Sequence, residues 1–153
     1  MTSNGPKYTY DYPRPMVTVD TVVFAGPPES LSVLLIRRAR PPYQHCWALP
    51  GGYIDMDEAL EVAARRELLE ETGLAIPSLD QLGAFGDPGR DPRGRTISVV
   101  YWTRLERAVP VSAGDDARET GWFPVDRLPD LAFDHEVIIQ EALKRLRSAL
   151  NDT

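Results

Sequence analysis

Three glutamates lie close together in a segment that otherwise has the pattern of a packed helix. Residues 51–76 read GGYIDMDEALEVAARRELLEETGLAI and contain Glu67, Glu70 and Glu71. At about 3.6 residues per turn, these three side chains continue the apolar face of the predicted helix. Carboxylates that face inward repel one another and are costly to desolvate unless a cation meets them. The segment therefore predicts either partner arginines or a divalent metal ion at this face.

The neighbouring residues bear on both alternatives. Arg65 and Arg66 follow the apolar positions of the helix and could pair with the glutamates as a solvated charged face. Gly51 and Gly52 precede the helix at a point where the backbone can approach another group closely, and a carbonyl there could supply an oxygen ligand. Because oxygen donors dominate the segment, magnesium or manganese fits it better than zinc.

The spacing of these residues resembles the complete signature of the Nudix hydrolases. The resemblance includes WALPGG directly before the helix. The matching positions are Gly52, Glu58, Arg66, Glu67, Leu68, Glu70, Glu71, Gly73 and Leu74.

The resemblance implies an α/β fold, an α/β/α sandwich with a mixed β-sheet, and hydrolysis of a nucleoside diphosphate linked to another moiety. By position, Glu67 and Glu71 are expected metal ligands, and Glu70 is a ligand or the base that orients water. The Gly51 carbonyl is a further expected ligand. Arg66 and Glu58 resemble the internal ion pair of the family, which makes them part of the catalytic set. The implied cofactor is Mg²⁺, with Mn²⁺ as a possible substitute.

A second stretch bears on the substrate. GDPGRDPRGRTISVVYW, residues 86–102, resembles the ADP-ribose pyrophosphatase branch of the family. Arg90 and Arg93 could donate forked hydrogen bonds to phosphate or ribose oxygens, or the stretch could be a hairpin turn with solvated arginines. Of Arg37 and Arg38, near the end of a predicted strand, only one should face the pocket, because neighbours on a strand point to opposite faces.

The same branch often places another catalytic acid downstream. Asp115, Asp116 and Glu119 are the candidates, and Asp116 is taken into the predicted catalytic set, although adjacent aspartates also commonly form turns. Tyrosines near the amino terminus could line a base pocket or a dimer contact, and the branch resemblance implies a homodimer.

One mixed sheet with helices on its faces is the simplest architecture that positions these residues. Strand patterns occupy 16–24, 31–38, 79–86, 95–105 and the TGWFPV stretch, and the first two suggest a hairpin. A helix is predicted from about 57 to 72, with Asp55 and Glu58 as a capping box and Gly73 as its C-cap. A second, amphipathic helix follows Asp134 as a plausible N-cap. We expect an arm at 1–15, a domain at 16–147 and a tail at 148–153.

Composition limits the function classes. The chain has 153 residues, 42% of them apolar, and a net charge of −6, which disfavours nucleic acid or an anionic membrane as a partner. One cysteine and no apparent leader or apolar span suggest a cytoplasmic protein. The leading hypothesis is hydrolysis of ADP-ribose to AMP and ribose 5-phosphate. The alternatives are a pyrophosphatase for (d)NTPs or oxidised nucleotides, and a non-catalytic module that senses ADP-ribose.

Overall fold

The computed structural model describes residues 8–114 and 117–152. The elements in chain order are β1 (Met16–Ala25), a 3₁₀ turn (Pro28–Ser30), β2 (Ser32–Arg38), β3 (Trp47–Ala48), β4 (Gly51–Tyr53), α1 (Leu60–Thr72), β5 (Asp80–Phe85), β6 (Thr96–Leu105), β7 (Ala117–Pro124) and α2 (His135–Asn151). Among these residues, no helix combines the length and apolar character needed to cross a membrane.

The strands form one mixed sheet with β1 near its centre. Its main order is β3-β2-β1-β6-β5, while β4 pairs with β1 and β7 pairs with β2. Strand β1 is antiparallel to β2, as the predicted hairpin requires, and parallel to β6. The β-branched, mostly apolar sequence of β1 suits this buried position, because residues on both of its faces are covered.

The two helices cover opposite faces of the sheet. On one face, Val22 and Phe24 of β1 pack with Ile138 and Ile139 of α2. On the other face, Val23 packs with Leu68 of α1. Because successive side chains of a strand alternate in direction, β1 contributes to both cores. The predicted α/β/α sandwich with a mixed sheet is confirmed.

Helix α1 begins later than predicted. It starts at Leu60 rather than near 57, and the capping residue, Ala59, makes no side-chain capping bond. The predicted capping box is replaced by a turn ahead of the helix, in which the Asp55 N–H donates to Glu58 Oε1 at 3.2 Å. The prediction was wrong at this end because Ala59 is extended, with ψ 150°, and the turn before it is closed by the Glu58 N–H, which donates to Asp55 O at 3.2 Å.

The other predicted helix ends agree with the structure to different degrees. Gly73 adopts φ 74° after α1 and donates its N–H to Leu69 O at 2.9 Å, which confirms the predicted C-cap. Asp134 occupies the predicted N-cap position of α2, but its side chain makes no capping bond. Helix α2 continues to Asn151, past position 147.

Candidate functional site

A cavity of about 480 Å³ is the centre of the candidate site. Strands β1, β2 and β4, helix α1, the loop between β5 and β6, and the start of α2 all contribute to it. Its polar lining includes Thr18, Asp20, Arg38, Arg40, Asp55, Arg66, Glu67, Glu71, Arg90, Asp91, Arg93 and His135.

Two glycines allow β4 to lie directly against its neighbours at this cavity. Pairing of β1 with β4 places Gly51 opposite Asp20. A Cβ atom on Gly51 would meet the Val19 carbonyl oxygen at 2.2 Å. A Cβ atom on Gly52 would lie 2.7 to 2.9 Å from the Glu67 carboxylate. Because these two glycines have no side chains, the backbone of β4 can lie close to β1 and to the Glu67 carboxylate.

The structure brings two of the three predicted glutamates to the cavity. Glu71 is buried, and its Oε1 accepts a hydrogen bond from the Gly51 N–H at 2.7 Å. Glu67 also lines the cavity, and burial raises the pKa of its carboxyl against the opposing effect of Arg66. Glu70 is not among the lining residues: its side chain is 51% exposed and bonds to Arg66 at 3.2 Å. Helical spacing thus separates Glu70 from the other two.

Arg66 ties the helix to the turn that precedes it. Its Nε and Nη2 donate to the two carboxylate oxygens of Glu58 at 2.6 and 2.9 Å. This pairing lowers the pKa of Glu58 and raises the pKa of Arg66. Nη1 of Arg66 also donates to Glu67 at 3.0 Å. The alternative of a solvated charged face therefore applies only to Arg65, which is more exposed and lies 3.8 Å from Glu61.

The carboxylates at the cavity fit a hard divalent cation. Within residues 8–114 and 117–152, no three His, Cys, Asp or Glu side chains converge as a metal-binding group. Mg²⁺ does not require such a group, since proteins often hold it by one or two carboxylates while water and substrate phosphates complete its coordination. Glu67 and Glu71 supply such a pair. A cation would also favour the ionised form of Glu67 against the effect of its burial.

The two glycines lead to a first prediction. We expect Gly52→Ala to fold and to bind Mn²⁺ about tenfold more weakly, because the flexible Glu67 carboxylate can shift away from the new methyl group. Gly51→Ala should unfold the region, since a carbonyl oxygen of β1 cannot move aside. Thermal unfolding and Mn²⁺ titration calorimetry measure the two effects. Equal loss of folding in both variants would contradict this assignment.

Of the two neighbouring arginines on β2, only Arg38 lines the cavity. Its Nε donates to Pro42 O at 2.7 Å, and burial together with the nearby Arg93 lowers its pKa. Arg37 lies outside the cavity lining and bonds to Glu119 at 2.9 Å. The pairing of β2 with β7 shifts register between Arg37 and Arg38, which is a β-bulge or irregularity of the kind that redirects side chains. Only one of the two arginines faces the cavity, as strand alternation predicts, and that one is Arg38.

The arginines of the 86–95 loop have different surroundings. The Arg90 side chain is only 5% exposed and donates two hydrogen bonds to Asp134, at 2.7 and 2.9 Å. Arg93 donates to both carboxylate oxygens of Asp91, at 3.0 and 2.7 Å. Burial alone would raise the pKa of Asp91, but these bonds lower it overall. Both arginines line the cavity, so the loop is a hairpin connection whose arginines are not simply solvated.

The predicted additional acid is not among the lining residues that the structure describes. Asp115 and Asp116 lie outside the described residues. Glu119 is directed to Arg37 on the β2–β7 pair and does not line the cavity, so it is removed from the candidates.

Several lining residues were missed from the sequence. Asp20 is buried and accepts a hydrogen bond from the Ser98 hydroxyl. His135 is buried beside Asp20, and its Nδ1 accepts the Leu49 N–H at 3.0 Å. A lone aspartate within the apolar β1 sequence is a signal that could have identified Asp20. No comparable local signal marks His135, because its partner lies 86 residues away.

Buried His135 makes the stability of the protein sensitive to acid. Burial lowers its pKa, while nearby Asp20 opposes this effect. The stability gained by burying neutral His135 is fully present above the unfolded-state pKa of about 6.5. It is lost as the pH falls, by at most about 1.4 kcal/mol per pH unit. We expect His135→Gln to lose less stability than the wild type between pH 7 and 5. Urea unfolding measures this, with His45→Gln as the matched exposed control; identical profiles for both variants would refute the prediction.

Comparison with known proteins places these features in context. A family model described as the NUDIX domain matches residues 14–145. The ADP-ribose pyrophosphatase of Methanocaldococcus jannaschii is 41% identical over 133 residues, which cover 87% of this chain and 76% of that protein.

Two further relatives are named for ADP-ribose. The ADPR responsive transcriptional repressor NtrR of Acinetobacter baylyi is 37% identical over 142 residues, or 90% of this chain, which spans 57% of the length of the repressor. The solved NUDIX domain of Shewanella oneidensis NrtR, complexed with ADP ribose, has a TM-score of 0.81 and 35% identity. That match covers 92% of this chain and 94% of the solved one.

Proposed function

Because the chain belongs to the NUDIX family, we propose that it hydrolyses ADP-ribose to AMP and ribose 5-phosphate. The observation that carries the proposal is one cavity that combines two carboxylates, Glu67 and Glu71, with the guanidinium groups of Arg38 and Arg93. Carboxylates suit a cation and arginines suit phosphate oxygens, which are the two requirements for cleaving a diphosphate. The M. jannaschii ADP-ribose pyrophosphatase supports the choice of substrate.

The described residues have distinct roles in this reaction. Arg38 and Arg93 would bind the diphosphate oxygens, while Glu67 and Glu71 would hold the metal ion. When bound, Mg²⁺ would neutralise the negative charge that develops on the phosphate oxygens and would lower the pKa of the attacking water. Water adds to one phosphorus, the bond from that phosphorus to the bridging oxygen breaks, and one proton must be removed. Glu70, which accepts a hydrogen bond from the cavity residue Arg66, is the proposed acceptor, with Asp116 as the alternative.

AMP release from ADP-ribose with Mg²⁺ tests the proposal directly. A chelator is the metal control, and other nucleoside diphosphate sugars and dNTPs form the substrate panel. Chelator-sensitive release of AMP with preference for ADP-ribose is the expected result. A preference for dNTPs would instead support the alternative function, a pyrophosphatase that acts on (d)NTPs.

A sensing function is the second candidate, and the similarity to the A. baylyi repressor favours it. Tight binding of ADP-ribose without turnover at saturating Mg²⁺ would support sensing over hydrolysis. We propose that this chain does not itself bind nucleic acid, given its net charge of −6. Fluorescence anisotropy with labelled duplex DNA measures that property.

We also propose Mg²⁺ as the metal, with Mn²⁺ as a substitute, and a homodimer located in the cytoplasm. Exposed Tyr8, Tyr10 and Tyr12 support an arm that is covered in an assembly. Light scattering on the wild type and on a Tyr10→Ser, Tyr12→Ser variant tests the dimer. A monomeric wild type would refute it.

A further inference from the structure

Phe133 adopts a backbone conformation that bulky residues rarely have. Its φ is +53°, in the left-handed region, and the residue lines the cavity. Hydrogen bonds hold the turn on both sides: the Ala132 N–H donates to Trp47 O at 2.8 Å, and the His135 N–H donates to Ala132 O at 3.1 Å. Such a conformation is unfavourable for phenylalanine and persists only where its surroundings enforce it.

The Phe133 ring is close to both arginines that we assign to the diphosphate. Its centroid is 5.0 Å from Cζ of Arg38 and 5.3 Å from Cζ of Arg93. Both distances fall within the range of about 6 Å for cation–π attraction. The ring also packs at 4.9 Å from Tyr43 and 5.4 Å from His135, which limits its freedom to move.

Each guanidinium group is also tied to the protein on another side. Arg38 donates through Nε to Pro42 O, and Arg93 donates through Nε and Nη2 to Asp91. Among the described residues, these bonds leave both terminal nitrogens of Arg38 and Nη1 of Arg93 to donate to a ligand. Two like charges held this close repel, and the ring partly offsets the repulsion through its negative face.

We propose that Phe133 is a positioning residue whose ring holds Arg38 and Arg93 together as a two-armed binding site for the diphosphate group of the substrate. The identity of the substrate rests on the proposed function, whereas recognition of a diphosphate rests on the two guanidinium groups. A leucine at this position preserves apolar contact but has no quadrupole to hold the cations.

Binding of ADP in the presence of a chelator tests the proposal without turnover. Isothermal titration compares the wild type with Phe133→Leu, Arg93→Lys and the double variant. Lysine keeps the charge but loses the planar group that interacts with a ring. We expect each single change to weaken ADP binding by about tenfold, and the double change to weaken it far less than about a hundredfold, because the residues act as a unit.

Two variants separate positioning from general packing. Phe133→Tyr should restore most of the ADP affinity, because it retains the ring. Phe85→Leu makes the same substitution at a partly buried phenylalanine outside the cavity and should leave ADP affinity unchanged. If Phe133→Leu does not fold, Phe133→Asn takes its place in the cycle, since asparagine tolerates a positive φ.

In turnover of ADP-ribose, Phe133→Leu should raise KM more than it lowers kcat, because ground state and transition state lose the same contacts. Additive effects in the double variant, absence of ADP binding by the wild type, or equal weakening by Phe85→Leu would each overturn the proposal. Coupling in ADP binding without hydrolysis of ADP-ribose would sustain this inference and reject the proposed function.

Discussion

Replacing Glu71 by glutamine is expected to reduce kcat for ADP-ribose by about a thousandfold while the protein remains folded. Glu71 is buried at the cavity, and its Oε1 accepts the Gly51 N–H. Glutamine keeps an oxygen that can accept this bond but removes the negative charge that a divalent cation requires. Removing one charge from a carboxylate cluster also relieves repulsion, so the Tm should be unchanged or higher.

The matched control for this prediction lies on the same helix. Glu61 accepts the Leu79 N–H at 2.9 Å and is not among the residues that line the cavity, so Glu61→Gln should retain nearly full activity. Steady-state kinetics over a Mg²⁺ titration, with circular dichroism to follow folding, distinguish the two variants. Activity of Glu71→Gln near the wild-type level at saturating Mg²⁺ would show that Glu71 does not hold the metal ion.

Local features of the site were predictable because their partners are near in sequence. The helical period places Glu67 and Glu71 on the inner face, and the expected ion pair of Arg66 with Glu58 spans eight residues. Strand alternation likewise indicated that only one of Arg37 and Arg38 would face the cavity. Each of these interactions follows from repeating geometry within one or two adjacent elements.

The remaining features depend on contacts between distant segments. Arg90 pairs with Asp134 across 44 residues, and this pair uses the carboxylate that would otherwise be available to cap α2. His135 reaches Leu49 across 86 residues. The left-handed conformation of Phe133 likewise has no sequence signal, since glycine or asparagine is the usual residue there. Tertiary packing, rather than local preference, determines these positions.

The start of α1 shows a sequence pattern whose local hydrogen bond forms without setting the limit of the helix. Asp55 and Glu58 have capping-box spacing, and the side-chain bond between them forms. The helix nevertheless begins at Leu60, because Ala59 is extended and the Glu58 N–H donates to Asp55 O, which closes a separate turn. The ion pair of Arg66 with Glu58 ties this turn to the helix that carries Glu67 and Glu71.

Replacing Arg66 by alanine should therefore be the most destabilising change among the charged residues of α1. The Glu58 side chain is only 11% exposed, so the change leaves a largely desolvated carboxylate without its partner. Breaking a buried pair costs 3–5 kcal/mol, and the 27% exposure of Arg66 reduces this to about 2 kcal/mol. The expected fall in Tm is about 6 °C. Arg65→Ala, which removes a half-exposed partner of Glu61, should change stability by less than about 0.5 kcal/mol.

The pH dependence of the Arg66→Ala effect identifies its cause. The bond from Arg66 lowers the native pKa of Glu58, so the stabilisation is present above the unfolded-state value of about 4.3 and is lost as the pH falls through the lowered native pKa. The difference in unfolding free energy between wild type and Arg66→Ala should thus shrink from pH 7 to pH 3 in urea titrations. Glu58→Ala combined with Arg66→Ala should recover part of the loss, because no unpaired carboxylate remains. A difference that stays constant with pH would assign the loss to the packing of the Arg66 side chain rather than to its charge.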